Sequence, residues 1–258
     1  MQYGFIGCGN MGGALARAAA KAQGGEKILL ADTDLKKAES LAGEIGAAVA
    51  DAEKIAESCD YIILGVKPQG LEKLLKSISI PPEAVVISMA AGVELAKLSA
   101  LAPACSLIRI MPNTPVAVGK GIILYAAKAE AEEIEGFLKL FEKAGTLIPL
   151  EERLIDAGTA VSGCGPAYVY LFIEALADGG VSCGLPREQA LTLAAGVAEG
   201  AAKMVLETGS HPAALKDAVC SPGGSTIEGV CALEDGAFRA TAAKAVIKAY
   251  EKTQKLGK

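Results

Sequence analysis

The sequence predicts an α/β fold: an N-terminal domain built on a parallel sheet, followed by an all-helical C-terminal domain. Three observations carry this reading. Short apolar runs alternate with helix-period segments as far as Pro149, and no convincing strand follows it. Apolar residues make up 52% of the 258 positions but aromatics only 4%, so the core must rest on Ala, Leu, Ile, Val and Gly in closely apposed helices and sheets. A length of 258 residues fits two modest domains, predicted at 1–149 and 150–258.

The predicted strands are 3–6, 28–31, 47–50, 61–66, 85–89, 107–111 and 122–125. Between the first two, Met11, Leu15, Ala18, Ala19 and Ala22 recur at helical spacing. Strand, helix, strand, repeated, implies a parallel sheet covered on both faces. Such a sheet binds ligands at the carboxyl ends of its strands. Beyond Pro149 the predicted helices are 151–178, 187–207, 212–219, 227–233 and 238–256. Tyr168, Leu171, Phe172, Ala175, Leu176 and Gly179 form one apolar stripe. So small and apolar a helical domain would be marginal alone, and a homodimer sharing the helical core is expected.

Charge and composition exclude several classes. The net charge of −5 is spread evenly, with 15 basic and 17 acidic residues in 1–150, which argues against a nucleic-acid partner. The seven cysteines contain no C-x-x-C pair and read as small apolar residues in a reducing compartment, the cytoplasm. No signal peptide is expected at the N-terminus. The longest apolar stretch, 157–173, is broken by Gly158, Gly163, Gly165 and Pro166 and is read as too short for the ~20 residues of a membrane span. No metal-ligand spacing and no Ser-His-Asp set is present. The single histidine, His211, precedes Pro212 and reads as a helix cap or a solvated side chain.

Gly7-Cys8-Gly9-Asn10-Met11-Gly12 is G-x-G-x-x-G, placed between a predicted strand and a predicted helix. Gly7 would allow the turn, Gly9 the approach of a pyrophosphate, and Gly12 the packing of helix on strand. The helix N-terminus would present free N–H groups to phosphate. This makes the first domain a Rossmann-type dinucleotide-binding domain. Asp32, twenty residues after Gly12, reads either as an acceptor for the adenosine ribose hydroxyls, favouring NADH over NADPH, or, with Asp34, as a helix cap. Lys36 and Lys37 lie one turn on and could offset its charge. At the other strand ends, Val66, Lys67 and Pro68, then Ala90 and Ala91, then Asn113 would face the cofactor. Lys67 reads equally as a solvated lysine, and Asn113 equally as a turn residue.

A second constellation lies in the helical half: Cys220-Ser221-Pro222-Gly223-Gly224-Ser225-Thr226-Ile227-Glu228. Ser225 and Glu228 have the spacing of a capping box. The same helix start could instead present N–H groups to a carboxylate, with the Thr226 hydroxyl free to meet a ligand nitrogen.

These motifs, with Arg109-Ile110-Met111-Pro112-Asn113-Thr114-Pro115 and Ser162-Gly163-Cys164-Gly165-Pro166-Ala167-Tyr168, run in order along essentially the whole chain. The sequence resembles the pyrroline-5-carboxylate reductases. Cys164 departs from the small residue commoner there, and the Asp32-Thr33-Asp34 turn is not a typical NADP-type turn. The resemblance implies hydride transfer from NADPH or NADH to 1-pyrroline-5-carboxylate, giving L-proline, the last step of proline synthesis. It implies that Ser221, Gly223, Gly224, Ser225 and Thr226 hold the substrate, with backbone N–H groups on its carboxylate and the Thr226 hydroxyl near the ring nitrogen. It places the nicotinamide by Val66, Lys67, Pro68, Ala90 and Ala91. It also implies dimers with intertwined C-terminal helices, often five dimers in a ring, whose active sites borrow from both subunits.

Overall fold

A computed structural model describes residues 1–256. The N-terminal part runs β1 (Tyr3–Ile6), α1 (Asn10–Gln23), β2 (Ile28–Ala31), α2 (Leu35–Ile45), β3 (Ala48–Val49), α3 (Ala52–Ser58), β4 (Tyr61–Leu64), α4 (Pro68–Ser77), β5 (Val85–Ser88), α5 (Leu95–Leu101), β6 (Ser106–Pro112), β7 (Gly121–Lys128), α6 (Ala131–Leu140) and β8 (Gly145–Pro149). The helical part runs α7 (Ile155–Ser162), α8 (Gly165–Ser182), α9 (Arg187–Thr208), α10 (Pro212–Ala218), α11 (Ser225–Asp235) and α12 (Phe238–Leu256). This is the α/β domain with a helical sequel that the pattern predicts.

The strands form one sheet in the order β3-β2-β1-β4-β5-β6-β7-β8. β1 pairs in parallel with both β2 and β4, with Ile6 beside Ala31 and Leu64. Chain order reverses at β1, so the crevice beyond the carboxyl ends of β1 and β4 is where such a sheet binds ligands. Alternate residues feed two cores. Phe5, Ile63, Ile87 and Ile108 pack with Leu15 and Phe137 on one face, and Ile62, Leu64, Val86 and Leu107 with Ile55, Leu71 and Leu98 on the other. Each such side chain contributes about 1.5–3 kcal/mol on burial, and strands buried on both faces read as unbroken apolar runs.

Two features differ from the all-parallel expectation. β7 pairs antiparallel to β6, because the chain between them is too short for a parallel crossover, which takes a dozen residues or more. β8 pairs parallel to β7 and is not anticipated: Gly145-Thr-Leu-Ile-Pro149 is brief and carries a glycine and a proline at its ends.

The chain forms two compact units, 1–164 with the end of α12 from Ala249, and 165–248. The predicted division after 149 follows the last strand, whereas the compact unit runs on through α7. Packing explains the difference. Ile155 is buried with Met111, Leu124 and Ala126. Arg109, buried on β6, donates to Glu152 Oε1 (3.2 Å) and Asp156 Oδ1 (3.0 Å). Glu152 Oε1 also accepts from the Leu95 N–H at 2.6 Å, so one carboxylate joins the starts of α5 and α7 to the sheet.

Within the second unit only Ala177, Ala190 and Ala194 are buried hydrophobics, with Ile173 and Val181 packed against them. The Phe172 and Phe238 rings lie 5.7 Å apart, and the Tyr168 hydroxyl donates to the Ala245 carbonyl at 3.4 Å. The stripe predicted from Tyr168 to Gly179 is largely uncovered in the single chain: Leu171 is 67% exposed, and Leu176 is also exposed. Leu193, Val197, Leu206 and Ile247 are exposed too. The segment Glu152–Ser182 contains an 18-residue window of mean hydropathy 1.3, long and apolar enough by those measures to cross a membrane, although α7 ends at Ser162 and α8 begins at Gly165. The apolar stretch is thus longer than the sequence reading took it to be, while the expected interruption falls at Gly163-Cys164, between α7 and α8. Pro166 falls in the first turn of α8, where no intrahelical N–H is needed.

Candidate active site

The glycine loop follows β1 and opens α1. Gly7 has φ +108°, and a Cβ there would lie 2.6 Å from the Gly65 carbonyl oxygen. A Cβ on Gly12 would collide with the Gly7 carbonyl oxygen. Both glycines are thus demanded by the protein's own packing. Gly9 is different, since a Cβ there meets nothing within 4 Å. It is the N-cap of α1, no side chain accepts from the first turn, and that turn holds no acidic residue. Free N–H donors at the positive end of a 14-residue helix, with open space before them, suit the pyrophosphate of a dinucleotide.

A cavity of about 950 Å³ runs along the carboxyl ends of β1, β2 and β4. Of the residues expected from the sequence, it brings together Gly7, Gly9, Asp32, Val66 and Lys67. It adds Leu35, Val49, Ala50 and Leu74, an apolar wall the sequence reading missed. The available signal was the position of Val49 and Ala50 at the carboxyl end of the third strand; that Leu35 and Val49 stand exposed there is seen only in the fold. Lys67 is exposed as the N-cap of α4, with Pro68 at its first position. Asn10 lines an adjoining cavity of about 420 Å³ with Arg17, Lys36 and Lys37. Met11 packs partly buried against the core. Ala90, buried, and Ala91, exposed, follow β5 outside the larger cavity's lining.

Asp32 has a defined job within the chain. Its Oδ2 accepts from the Cys8 N–H at 2.6 Å and its Oδ1 from the Asp34 N–H at 2.9 Å. The carboxylate therefore pins the glycine loop to the end of β2. Asp34, not Asp32, is the N-cap of α2, and it makes no side-chain cap bond. Burial, reinforced by the charge of Asp32, pushes the Cys8 thiol up to about 11, so Cys8 is an inert packing residue.

Asn113 departs from the expectation of a cofactor contact. It is buried, its Nδ2 donates to the Ser162 carbonyl (2.9 Å), and its Oδ1 accepts from the Ile122 N–H (2.8 Å). Both ends of the amide are engaged internally, which fits the turn-stabilising alternative.

The second constellation is a helix N-terminus. Gly223 has φ +66°, and Gly224 is the N-cap of α11, with no side-chain cap bond. The capping box expected from Ser225 and Glu228 is absent, because Ser225 is already the first helical residue and cannot reach back as a cap. Ser221 lies close enough to Gly224 that a Cβ there would collide with its hydroxyl oxygen. Ser221, Ser225 and Thr226 are exposed, leaving the first N–H groups of α11 and the Thr226 hydroxyl available to a ligand. His211 caps α10, its Nδ1 accepting from the Ala213 N–H at 3.2 Å.

Residues 152–256 match the family model described as pyrroline-5-carboxylate reductase dimerisation, and residues 2–92 match the one described as NADP oxidoreductase coenzyme F420-dependent. Over 265 residues the chain is 42% identical to the pyrroline-5-carboxylate reductase of Methanosarcina acetivorans, covering 100% of this chain and 98% of that one. The chain belongs to the pyrroline-5-carboxylate reductase family. Among solved structures it is similar to the Plasmodium falciparum pyrroline carboxylate reductase with NADP bound, at a TM-score of 0.86 and 32% identity, covering 100% of this chain and 98% of that one. A pyrroline-5-carboxylate reductase from Coxiella burnetii gives a TM-score of 0.90 at 30% identity, with 100% and 98% covered. The helical part, with its uncovered apolar faces, is thus a dimerisation module, and the protein is a homo-oligomer.

Proposed function

We propose that this protein reduces 1-pyrroline-5-carboxylate to L-proline, the last step of proline biosynthesis, with NADPH or NADH as hydride donor. The observation that carries the assignment is the full-length match at 42% identity. A nicotinamide bound at the carboxyl edge of the sheet supplies the hydride. The α1 N-terminus and Gly9 seat the pyrophosphate, Asp32 faces the adenosine ribose, and Val66, Lys67, Pro68, Ala90 and Ala91 flank the nicotinamide.

The free N–H groups at Ser225 and Thr226, together with Ser221, Gly223 and Gly224, take the substrate carboxylate, as the open start of α11 supports; the Gly224 N–H already donates to the Ser221 carbonyl at 3.0 Å. A cyclic imine is basic enough to carry its own proton near neutrality. The Thr226 hydroxyl therefore has only to hydrogen-bond the ring nitrogen and orient the ring, and catalysis rests on positioning and charge complementarity. This accounts for a site built without histidine.

The apolar faces of α8 and α9 pair with a second copy, and each site draws on both subunits. A ring of five dimers is the further step, supported by the family resemblance. The seven free thiols support a cytoplasmic location. The test is oxidation of either reduced cofactor on addition of pyrroline-5-carboxylate, with proline identified as product. Absence of turnover with both cofactors, or preferential oxidation of a 3-hydroxy acid, refutes the assignment.

A further inference from the structure

We propose that this protein selects NADH over NADPH, and that Asp32 is the residue that selects. The inference rests on the reading of the cavity at β1, β2 and β4 as the dinucleotide seat and deepens it. The Asp32 carboxylate lies on that cavity's wall beside Gly9. It is held there by the Cys8 and Asp34 N–H groups at 2.6 and 2.9 Å, so it cannot swing away from an incoming ligand without releasing the glycine loop. Its remaining lone pairs can accept from ribose hydroxyls, whereas a 2′-phosphate would meet a fixed negative charge.

The neighbouring cations do not reverse this. Arg17 is engaged by Glu44 through two hydrogen bonds of 2.7 and 2.6 Å. Lys37 pairs with Asp34 at 3.4 Å. Such exposed pairs are weak, yet each cation diverted to a phosphate leaves a carboxylate behind in the same neighbourhood. Lys36, beside them on the adjoining cavity, and Lys67 and Lys73, on the larger one, are the remaining basic side chains, and Asp51 adds another carboxylate to the larger cavity's lining. Of the charges on these two linings, Asp32 is the one pinned by two backbone N–H groups, so it meets a 2′-phosphate from a fixed position.

The experiment titrates the full-length protein with NADH and with NADPH, following nicotinamide fluorescence, for wild type, Asp32→Asn and Asp32→Ser. Steady-state reduction of pyrroline-5-carboxylate is measured in parallel. Asp32→Asn removes the charge but keeps an acceptor for the Cys8 N–H, so it separates repulsion from loop positioning. Wild type is expected to bind NADH at least about 10-fold more tightly than NADPH, equivalent to about 1.4 kcal/mol. Both variants should lose that preference, chiefly by gaining affinity for NADPH. Equal or tighter binding of NADPH by wild type, or an unchanged preference in Asp32→Asn, overturns the proposal. Failure of both cofactors to bind overturns it along with the cavity assignment. The expected binding preference without imine reduction supports the proposal while removing the reductase assignment.

Discussion

Replacing Gly9 by alanine should leave the fold nearly intact and weaken dinucleotide binding, whereas Gly7→Ala should damage the fold itself. The two positions differ in what a Cβ meets. At Gly7 it lies 2.6 Å from the Gly65 oxygen on a backbone at φ +108°, which costs about 1–3 kcal/mol in strain alone, with the collision added. At Gly9 φ is −67° and there is open space for 4 Å. The penalty is then only that of exchanging a glycine N-cap for alanine, about 0.5–1 kcal/mol. In a domain of this size that corresponds to a fall in Tm of roughly 1–4 °C. The added methyl occupies the space before the α1 N–H groups where the pyrophosphate would approach, so Kd for NADH should rise about 10-fold or more. Thermal unfolding without ligand and fluorescence titration with NADH measure the two effects separately. Wild-type NADH affinity in Gly9→Ala would refute the assignment of the loop as the phosphate seat.

Four other outcomes are expected. Thr226→Ala should lower kcat about 10-fold or more with near-normal cofactor affinity, and unchanged turnover in steady-state assays would remove the proposed role of the hydroxyl. Leu171→Glu, which puts a charge on the uncovered face of α8, should shift the protein toward monomer in light scattering; an undisturbed oligomer would place the dimer contact elsewhere. Arg109→Met should lower stability to urea by about 2–3 kcal/mol at fixed protein concentration, because the Glu152 and Asp156 carboxylates lose their buried partner. A loss below about 0.5 kcal/mol, the range of an ordinary surface substitution, would show that the pair contributes little. At pH 8 the Cys8 thiol, pushed up to about 11, stays protonated and buried. It should resist maleimide until the protein unfolds, and rapid labelling of the native protein at that site, read by peptide mass spectrometry, would contradict this.

Much of this protein was written locally. The β1 to α1 unit is legible because a turn, a close helix–strand approach and an open phosphate seat each require glycine at a particular offset, and those offsets survive without knowledge of any distant residue. The long helices and the alternation of strand and helix follow in the same way from apolar periodicity. The direction of β7 was also within reach, since the stretch between the sixth and seventh apolar runs is shorter than a parallel crossover allows.

Other features depended on which distant groups meet. Asn113 could have faced a ligand or a turn; only the arrival of Ile122 and Ser162 at its two amide ends decided the matter. Ser225 has the spacing of a cap, but Gly224 took that position, which leaves the start of α11 open. Asp32 became a fixed charge rather than a mobile one because the glycine loop returned beside it. The extension of the first compact unit through α7 needed Arg109, 43 and 47 residues away from its two carboxylate partners. Periodicity reports how apolar a helix face is. Which part of that face the chain covers for itself, and which it leaves for a second copy, is settled only when the helices pack.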